Sequence, residues 1–67
     1  MNPFRTVLIT KGFSEGASGR FLSPDCKRGD GVVVELQGVN AVACWKGGRT
    51  LFENTDKDIQ RFREEVR

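Results

Sequence analysis

One stretch of the chain, residues 31–53, constrains the fold most, because strand-forming runs alternate there with glycine-containing turns. A valine-rich run between Gly31 and Gly38 has the composition of a β-strand bounded by turn residues. The turn that follows, at residues 38–40, contains glycine and asparagine, which both tolerate a positive φ. The sequence therefore predicts three consecutive strands joined by two tight turns.

The second turn of this stretch predicts a register for the hairpin. Gly47 and Gly48 suit a two-residue type I′ loop, because both central residues of that turn need a positive φ. With these residues as the loop, Cys44 would face Leu51. Because side chains alternate along a strand, the apolar residues of the two faces are Val42, Cys44 and Leu51 on one side, and Ala43, Trp45 and Phe52 on the other. Apolar groups on both faces indicate a sheet that is partly covered on both sides, by a helix or by curling into a small barrel.

The residues before this stretch predict a strand, a loop and a short strand. Residues 4–11 are predicted as a first strand, with Pro3 just before it, where no ladder hydrogen bond is required. Residues 12–19 form a glycine-rich loop that lacks the spacing of a phosphate-binding motif. In this loop Phe13 either packs on the core or faces solvent, where it could bind a partner. Residues 20–22 predict a short strand.

The last segment predicts an α-helix over residues 55–66. Asn54 or Thr55 provides its N-cap, and acidic residues follow at the positive end of the helix dipole. Its apolar stripe follows the helical period at Ile59, Phe62 and Val66. A helix this short is marginal alone, so we expect the stripe to dock on the sheet.

The pattern Val-x-Cys-Trp-Lys-Gly-Gly-Arg-x-x-Phe at residues 42–52, followed by an acidic helix start, resembles the last hairpin of SH3-like and Tudor-like barrels. The resemblance covers about a third of the chain and implies a fold only, without a site. The predicted fold class is α+β and mainly β. It is a small antiparallel sheet, or an SH3-like partly closed barrel, of four to five strands with one C-terminal helix packed on it. Residues 1–67 are predicted to form a single small domain.

Composition argues against catalysis. The sequence has no histidine, which removes the commonest general base and the commonest metal ligand. Two isolated cysteines without histidine do not make a zinc site, so we predict no metal, no cofactor and no enzymatic activity. Cys26 lies beside two cations that favour its thiolate, but a surface cysteine without a role is the better-supported interpretation.

The sequence also predicts where the protein resides. No apolar run approaches the roughly 18 residues of a membrane span. The N-terminus lacks the charged and apolar regions of a signal peptide. We therefore expect a cytoplasmic protein without a membrane partner, whose two cysteines are reduced.

Binding of RNA or DNA is the first functional hypothesis. The net charge is +2, and the positive charge lies mainly in the N-terminal half and at the hairpin tip. Small barrels and sheets bind single strands by stacking bases on aromatic rings inside a basic groove. The candidate nucleic-acid-binding residues are Lys11, Phe13, Arg20, Lys27, Arg28, Lys46 and Arg49. We expect weak binding with a steep dependence on salt.

The alternative is a protein–protein interaction module, such as a small inhibitor or adaptor encoded by a phage or mobile element. Under this alternative the partner is a different protein, or a second copy of the chain in a dimer. An exposed edge strand accepts a strand from a partner or from a second copy, and the predicted edges are residues 7–11 or 20–22. Convergence of the candidate cations on one face would favour nucleic acid, whereas scatter would favour a protein partner. The charge distribution alone slightly favours nucleic acid.

Overall fold

The computed structural model describes residues 2–25 and 31–66, and these residues form an open antiparallel sheet with two helices. In chain order the elements are α1 (Pro3–Thr10), β1 (Ser14–Glu15), a 3-10 turn (Ala17–Gly19), β2 (Arg20–Leu22), β3 (Val33–Gln37), β4 (Asn40–Trp45), β5 (Gly48–Phe52) and α2 (Asp56–Glu65). Each strand is antiparallel to the next, in the order β1-β2-β3-β4-β5. The predicted antiparallel sheet is confirmed, but it does not close into an SH3-like barrel.

The N-terminal segment is a helix, so the prediction of a strand at residues 4–11 is wrong. The side-chain oxygen of Asn2 caps α1 by accepting a hydrogen bond from the Phe4 N–H at 2.8 Å. Pro3 occupies the first turn, where its missing N–H costs no hydrogen bond. The buried side chains follow the helical period at Phe4, Val7 and Leu8. The β-branched residues of this segment suggested a strand, but the cap and the period of the apolar residues outweigh that preference.

The first turn of the central stretch lies at Gly38-Val39, between β3 and β4. Gln37 pairs with Asn40 across this turn. Gly38 has a φ of +62°, as the first central residue of a type II′ turn requires. The strand and turn predicted at this point are both confirmed.

The second turn uses Lys46-Gly47 rather than the predicted Gly47-Gly48. Positive φ occurs in this turn region at Gly48 alone, at +152°, and a type I′ loop would need it at both central residues. Cys44 therefore faces Arg49 instead of Leu51. Because the register shifts by an even number of residues, every side chain stays on the face where the sequence placed it.

Both helices pack on the same face of the sheet. The buried side chains of this face are Phe21, Val34, Ala41, Ala43 and Phe52. The ring of Phe52 lies 6.5 Å from that of Phe4 in α1 and 5.1 Å from that of Phe62 in α2, between centroids. Phe4 and Phe62 meet edge-to-face at 4.9 Å, a geometry that the ring quadrupoles favour. This cluster of three rings joins both helices to β5.

The C-terminal helix is confirmed, and α1 is a second helix that the sequence analysis did not predict. Thr55 is the N-cap, since its hydroxyl accepts a hydrogen bond from the Asp58 N–H at 3.2 Å. Phe62 and Val66 are buried against the core, and Ile59 is partly buried. The predicted apolar side of helix α2 therefore docks on the sheet as expected.

Candidate interaction surface

The opposite face of the sheet carries no helix in the part of the chain that the structure describes. Its residues alternate with the buried ones along each strand, and the strand register aligns them in rows across the sheet. We call this surface the open face. On strands β2 to β5 its residues are Arg20, Leu22, Val33, Glu35, Gln37, Asn40, Val42, Cys44, Arg49 and Leu51.

The centre of the open face is apolar. One cross-strand row brings Leu22, Val33 and Cys44 together, and the next row brings Val42 beside Leu51. Leu51 is 48% exposed and Leu22 39%, while the three residues between them are partly buried by their neighbours. We call these five residues the apolar stripe. A contiguous exposed stripe of this kind marks interaction surfaces more often than singly scattered apolar residues do.

One flank of the stripe carries a fixed carboxylate. Gln37 Nε2 donates a hydrogen bond to Glu35 Oε1 at 3.1 Å, and Arg20 Nε donates to Glu35 Oε2 at 3.3 Å. Hydrogen bonds first from Gln37 and then from Arg20 stabilise the charged form, and they lower the pKa of Glu35 below its ordinary value. Glu35 is therefore ionised at neutral pH.

The other flank carries a free cation. Arg49 lies in β5, in the same row as Cys44, and its side chain is exposed. It forms no ion pair and no side-chain hydrogen bond with any described residue. The open face thus combines an apolar centre, a paired carboxylate on β3 and an unpaired guanidinium on β5.

The structure does not bring the described candidate cations together. Lys11 lies on the helix side, where its ammonium donates a hydrogen bond to the Arg63 carbonyl at 2.8 Å. Lys46 lies in the hairpin turn. Arg20 and Arg49 both lie on the open face, but β3 and β4 separate their strands. Cys26, Lys27 and Arg28 lie outside the described residues.

Neither Phe13 nor Trp45 lies on the open face. Phe13 is only 6% exposed and belongs to the core, so it takes the first of its two predicted roles and does not offer its ring to a base. Trp45, for which burial in the core is the simplest expectation for the largest aromatic side chain of so small a chain, is instead 44% exposed at the end of β4. It lies on the helix side, at the rim of a shallow pocket of about 320 Å³ that Val32 and Val66 also line.

The edges of the sheet also differ from the prediction. Arg20–Leu22 pairs with both β1 and β3, so the edge strands are β1 and β5. The β5 edge is partly occupied, because Arg61 Nη2 donates a hydrogen bond to the Leu51 carbonyl at 3.3 Å. The same guanidinium lies 4.5 Å from the centroid of the Phe52 ring. A helix side chain that lies over an edge strand and occupies one of its carbonyls hinders pairing with a further strand.

Sequence reasoning missed the apolar stripe although its signal was visible. Apolar groups lie on both faces of the β4–β5 hairpin, which predicted a cover on each face. The structure supplies one cover, made of both helices, and leaves Val42, Cys44 and Leu51 on the uncovered side.

Other features of the described residues, and comparisons with known proteins, add little to this picture. Within residues 2–25 and 31–66, no group of three or more histidine, cysteine or acidic side chains is placed to hold a metal ion. Neither helix of that part has the length and apolar character needed to cross a bilayer. The chain matches no protein-family model, and no curated protein or solved structure matches it significantly.

Proposed function

We propose that the protein is a small non-enzymatic protein-binding module that docks a protein partner on its open face. The observation that carries this proposal is the apolar stripe, exposed at Leu22 and Leu51, on a sheet face that no helix of residues 2–25 and 31–66 covers. An antiparallel sheet commonly has one solvated face, but the side chains of such a face are then mostly polar. Here apolar residues occupy its centre.

The composition of the open face suits a protein partner. The centre of a typical protein interface is apolar and depleted in charge, and its rim is polar. The stripe supplies the centre, while Glu35 and Arg49 lie on its two flanks. Covering Leu51 and Leu22 would remove apolar surface from water, at about 25 cal/mol per Å².

Binding of RNA or DNA stays a prediction and ranks second. Single-strand binding uses aromatic rings beside a basic groove, whereas the open face has no aromatic residue and the described cations lie apart. Titration of a fluorescent single-stranded oligonucleotide at low salt checks it. Tight binding that falls steeply with salt, and that is lost on Arg20→Gln and Arg49→Gln, would reverse this ranking.

Site-specific photo-crosslinking in cells tests the proposed function. A photoreactive amino acid replaces Leu51 on the open face, or Lys57 on the exposed side of α2 as the matched control. Crosslinked proteins are identified by mass spectrometry. We expect a discrete protein product from position 51, which position 57 does not form and which Val42→Lys abolishes.

Two results would contradict the proposal. One is a set of crosslinks that is the same from positions 51 and 57, because it would show that the open face has no preference for a partner. The other is a product at position 51 that Val42→Lys leaves unchanged. We also expect the protein in the cytoplasm, which fractionation of the same cells would check.

A further inference from the structure

We propose that the occupant of the open face is the open face of a second copy of this chain, an inference that rests on the proposed function. The two faces would pack as the layers of a β-sandwich, related by a two-fold axis parallel to β4. A two-fold interface uses the same patch on both subunits, so it needs a patch that complements itself. The open face meets this requirement in charge, because it carries a carboxylate on β3 and a guanidinium on β5, on the two sides of β4.

The two-fold axis sets which residues meet. Strand β4 of one copy lies over β4 of the other, so Val42 and Cys44 lie at the centre opposite their own counterparts. Strand β3 of one copy then lies over β5 of its partner, because the two strands flank β4. Val33 and Leu51 flank this apolar centre, and the shared rows place them opposite the partner's Arg49 and the partner's Glu35, respectively.

The same arrangement pairs the charges. Glu35 lies over the partner's β5, one row along from the partner's Arg49, because Glu35 shares its row with Leu51 through Val42. Packed sheets are about 10 Å apart, and two residues along a strand span about 7 Å. Extended arginine and glutamate side chains bridge such a separation. Each Arg49, which has no ion-pair partner among the described residues of its own chain, therefore gains a carboxylate, and the pair forms twice.

Size predicts a weak dimer. Four strands spaced about 4.8 Å apart and about five residues long give a face of roughly 300 Å² in projection. Two such faces bury less than the roughly 1,200 Å² below which weak and transient complexes are found. We therefore expect a monomer–dimer equilibrium that shifts over micromolar to millimolar protein concentration.

Sedimentation equilibrium on the full chain tests the inference. The wild-type protein is compared with Arg49→Glu, with Glu35→Arg and with an equimolar mixture of the two variants. Lys57→Glu, on the exposed side of α2, is the control for net charge. We expect each open-face variant to raise the dissociation constant about tenfold, because like charges replace both pairs, and we expect Lys57→Glu to leave it unchanged.

The mixture gives the sharpest result. In a heterodimer of the two variants, the arginine introduced at position 35 meets the glutamate introduced at position 49, and the unchanged Arg49 meets the unchanged Glu35. Opposite charges are therefore restored at both positions. We expect the mixture to associate with a dissociation constant close to that of the wild-type protein. A change in folding cannot produce this recovery, and circular dichroism of each variant checks that it is folded.

The outcomes separate this inference from the proposed function. A wild-type chain that stays monomeric up to millimolar concentration overturns the self-association. A crosslink from position 51 to a different protein would still support the binding module. A dimer whose dissociation constant is unchanged by Arg49→Glu and by Glu35→Arg also overturns the inference. So does a mixture of the two variants that does not regain the wild-type dissociation constant.

Discussion

The two faces of the sheet carry similar numbers of apolar residues but have different environments. On the helix side Ala41 and Ala43 are small and fully buried, and they leave room for the rings of the helices. On the open side Val42 and Leu51 occupy neighbouring positions and remain accessible. Apolar character alone therefore does not identify a core face. The core face is the one on which both helices pack, through the rings of Phe4, Phe52 and Phe62.

Ala43→Lys should give the largest loss in the free energy of unfolding, because it places a charge on the buried face of the sheet. Ala43 is fully buried in the core. A lysine there would overpack its neighbours, and its charge would have to be moved out of the core, desolvated or lost. We expect a loss of several kcal/mol in the free energy of unfolding, enough to unfold a domain of this size. Urea denaturation followed by circular dichroism measures it. Cooperative unfolding at the wild-type midpoint would contradict the account.

Phe62→Ala should give the next largest loss in the free energy of unfolding. Its ring contacts Phe4 and Phe52 and is fully buried, so its removal leaves a cavity where both helices meet the sheet. We expect a cost of about 3 to 5 kcal/mol. Phe62→Leu is the matched control, and we expect it to cost about 1.5 kcal/mol, because most of the volume is kept. Equal effects of the two substitutions would show that the ring cluster does not hold the helices.

The helix side also shows how far local sequence predicts the fold. The strands of residues 31–53 and helix α2 were predicted, because turn glycines, β-branched runs and an N-cap act locally. Helix α1 was missed because the same residues fit an alternating pattern and a helical one. The short β1 strand was missed because two residues carry no periodic signal. It pairs with β2 across the short 3-10 turn, and Glu15 also forms a bidentate ion pair with Arg5 of α1.

Asn2→Ala tests the corrected helix α1. Besides capping the helix, the Asn2 side chain donates hydrogen bonds to the carbonyls of Gly38 and Asn40, at 3.0 Å and 2.9 Å. We expect a cost of about 1 to 2 kcal/mol in the free energy of unfolding. Asn2→Ser keeps a capping oxygen but lacks the amide group that reaches both carbonyls, so its stability should fall between that of the wild-type protein and that of Asn2→Ala. A neutral Asn2→Ala would show that α1 does not depend on this cap.

Protonation of Glu35 on the open face should give the smallest change in the free energy of unfolding. Hydrogen bonds from Gln37 and Arg20 lower its pKa in the folded state. A carboxyl group whose pKa is lower when folded contributes stability above its unfolded pKa, and this contribution is lost as pH falls through the folded pKa. We expect a small loss of wild-type stability over this acidic range, and a smaller loss in Glu35→Gln. Thermal unfolding of both proteins across this range measures the difference, and identical profiles would contradict it.

The site was less predictable than the fold. Arg20, Lys46 and Arg49 were singled out for their charge, but a sequence does not show which face a cation occupies when one element is assigned wrongly. The apolar stripe was visible as alternation in β3 to β5. Its exposure became clear once α1 and α2 were found on the same face, and that arrangement depends on the cluster of three rings rather than on any local motif.

The substitution Val42→Lys tests whether the open face binds a second copy without being part of the core. Val42 precedes Ala43 in the same strand and faces the other way. Stability and self-association are measured on one sample, by urea denaturation and sedimentation equilibrium. The account predicts a change of less than about 1 kcal/mol in the free energy of unfolding, together with loss of the dimer. A variant that unfolds as Ala43→Lys does, or one that associates like the wild-type protein, would contradict it.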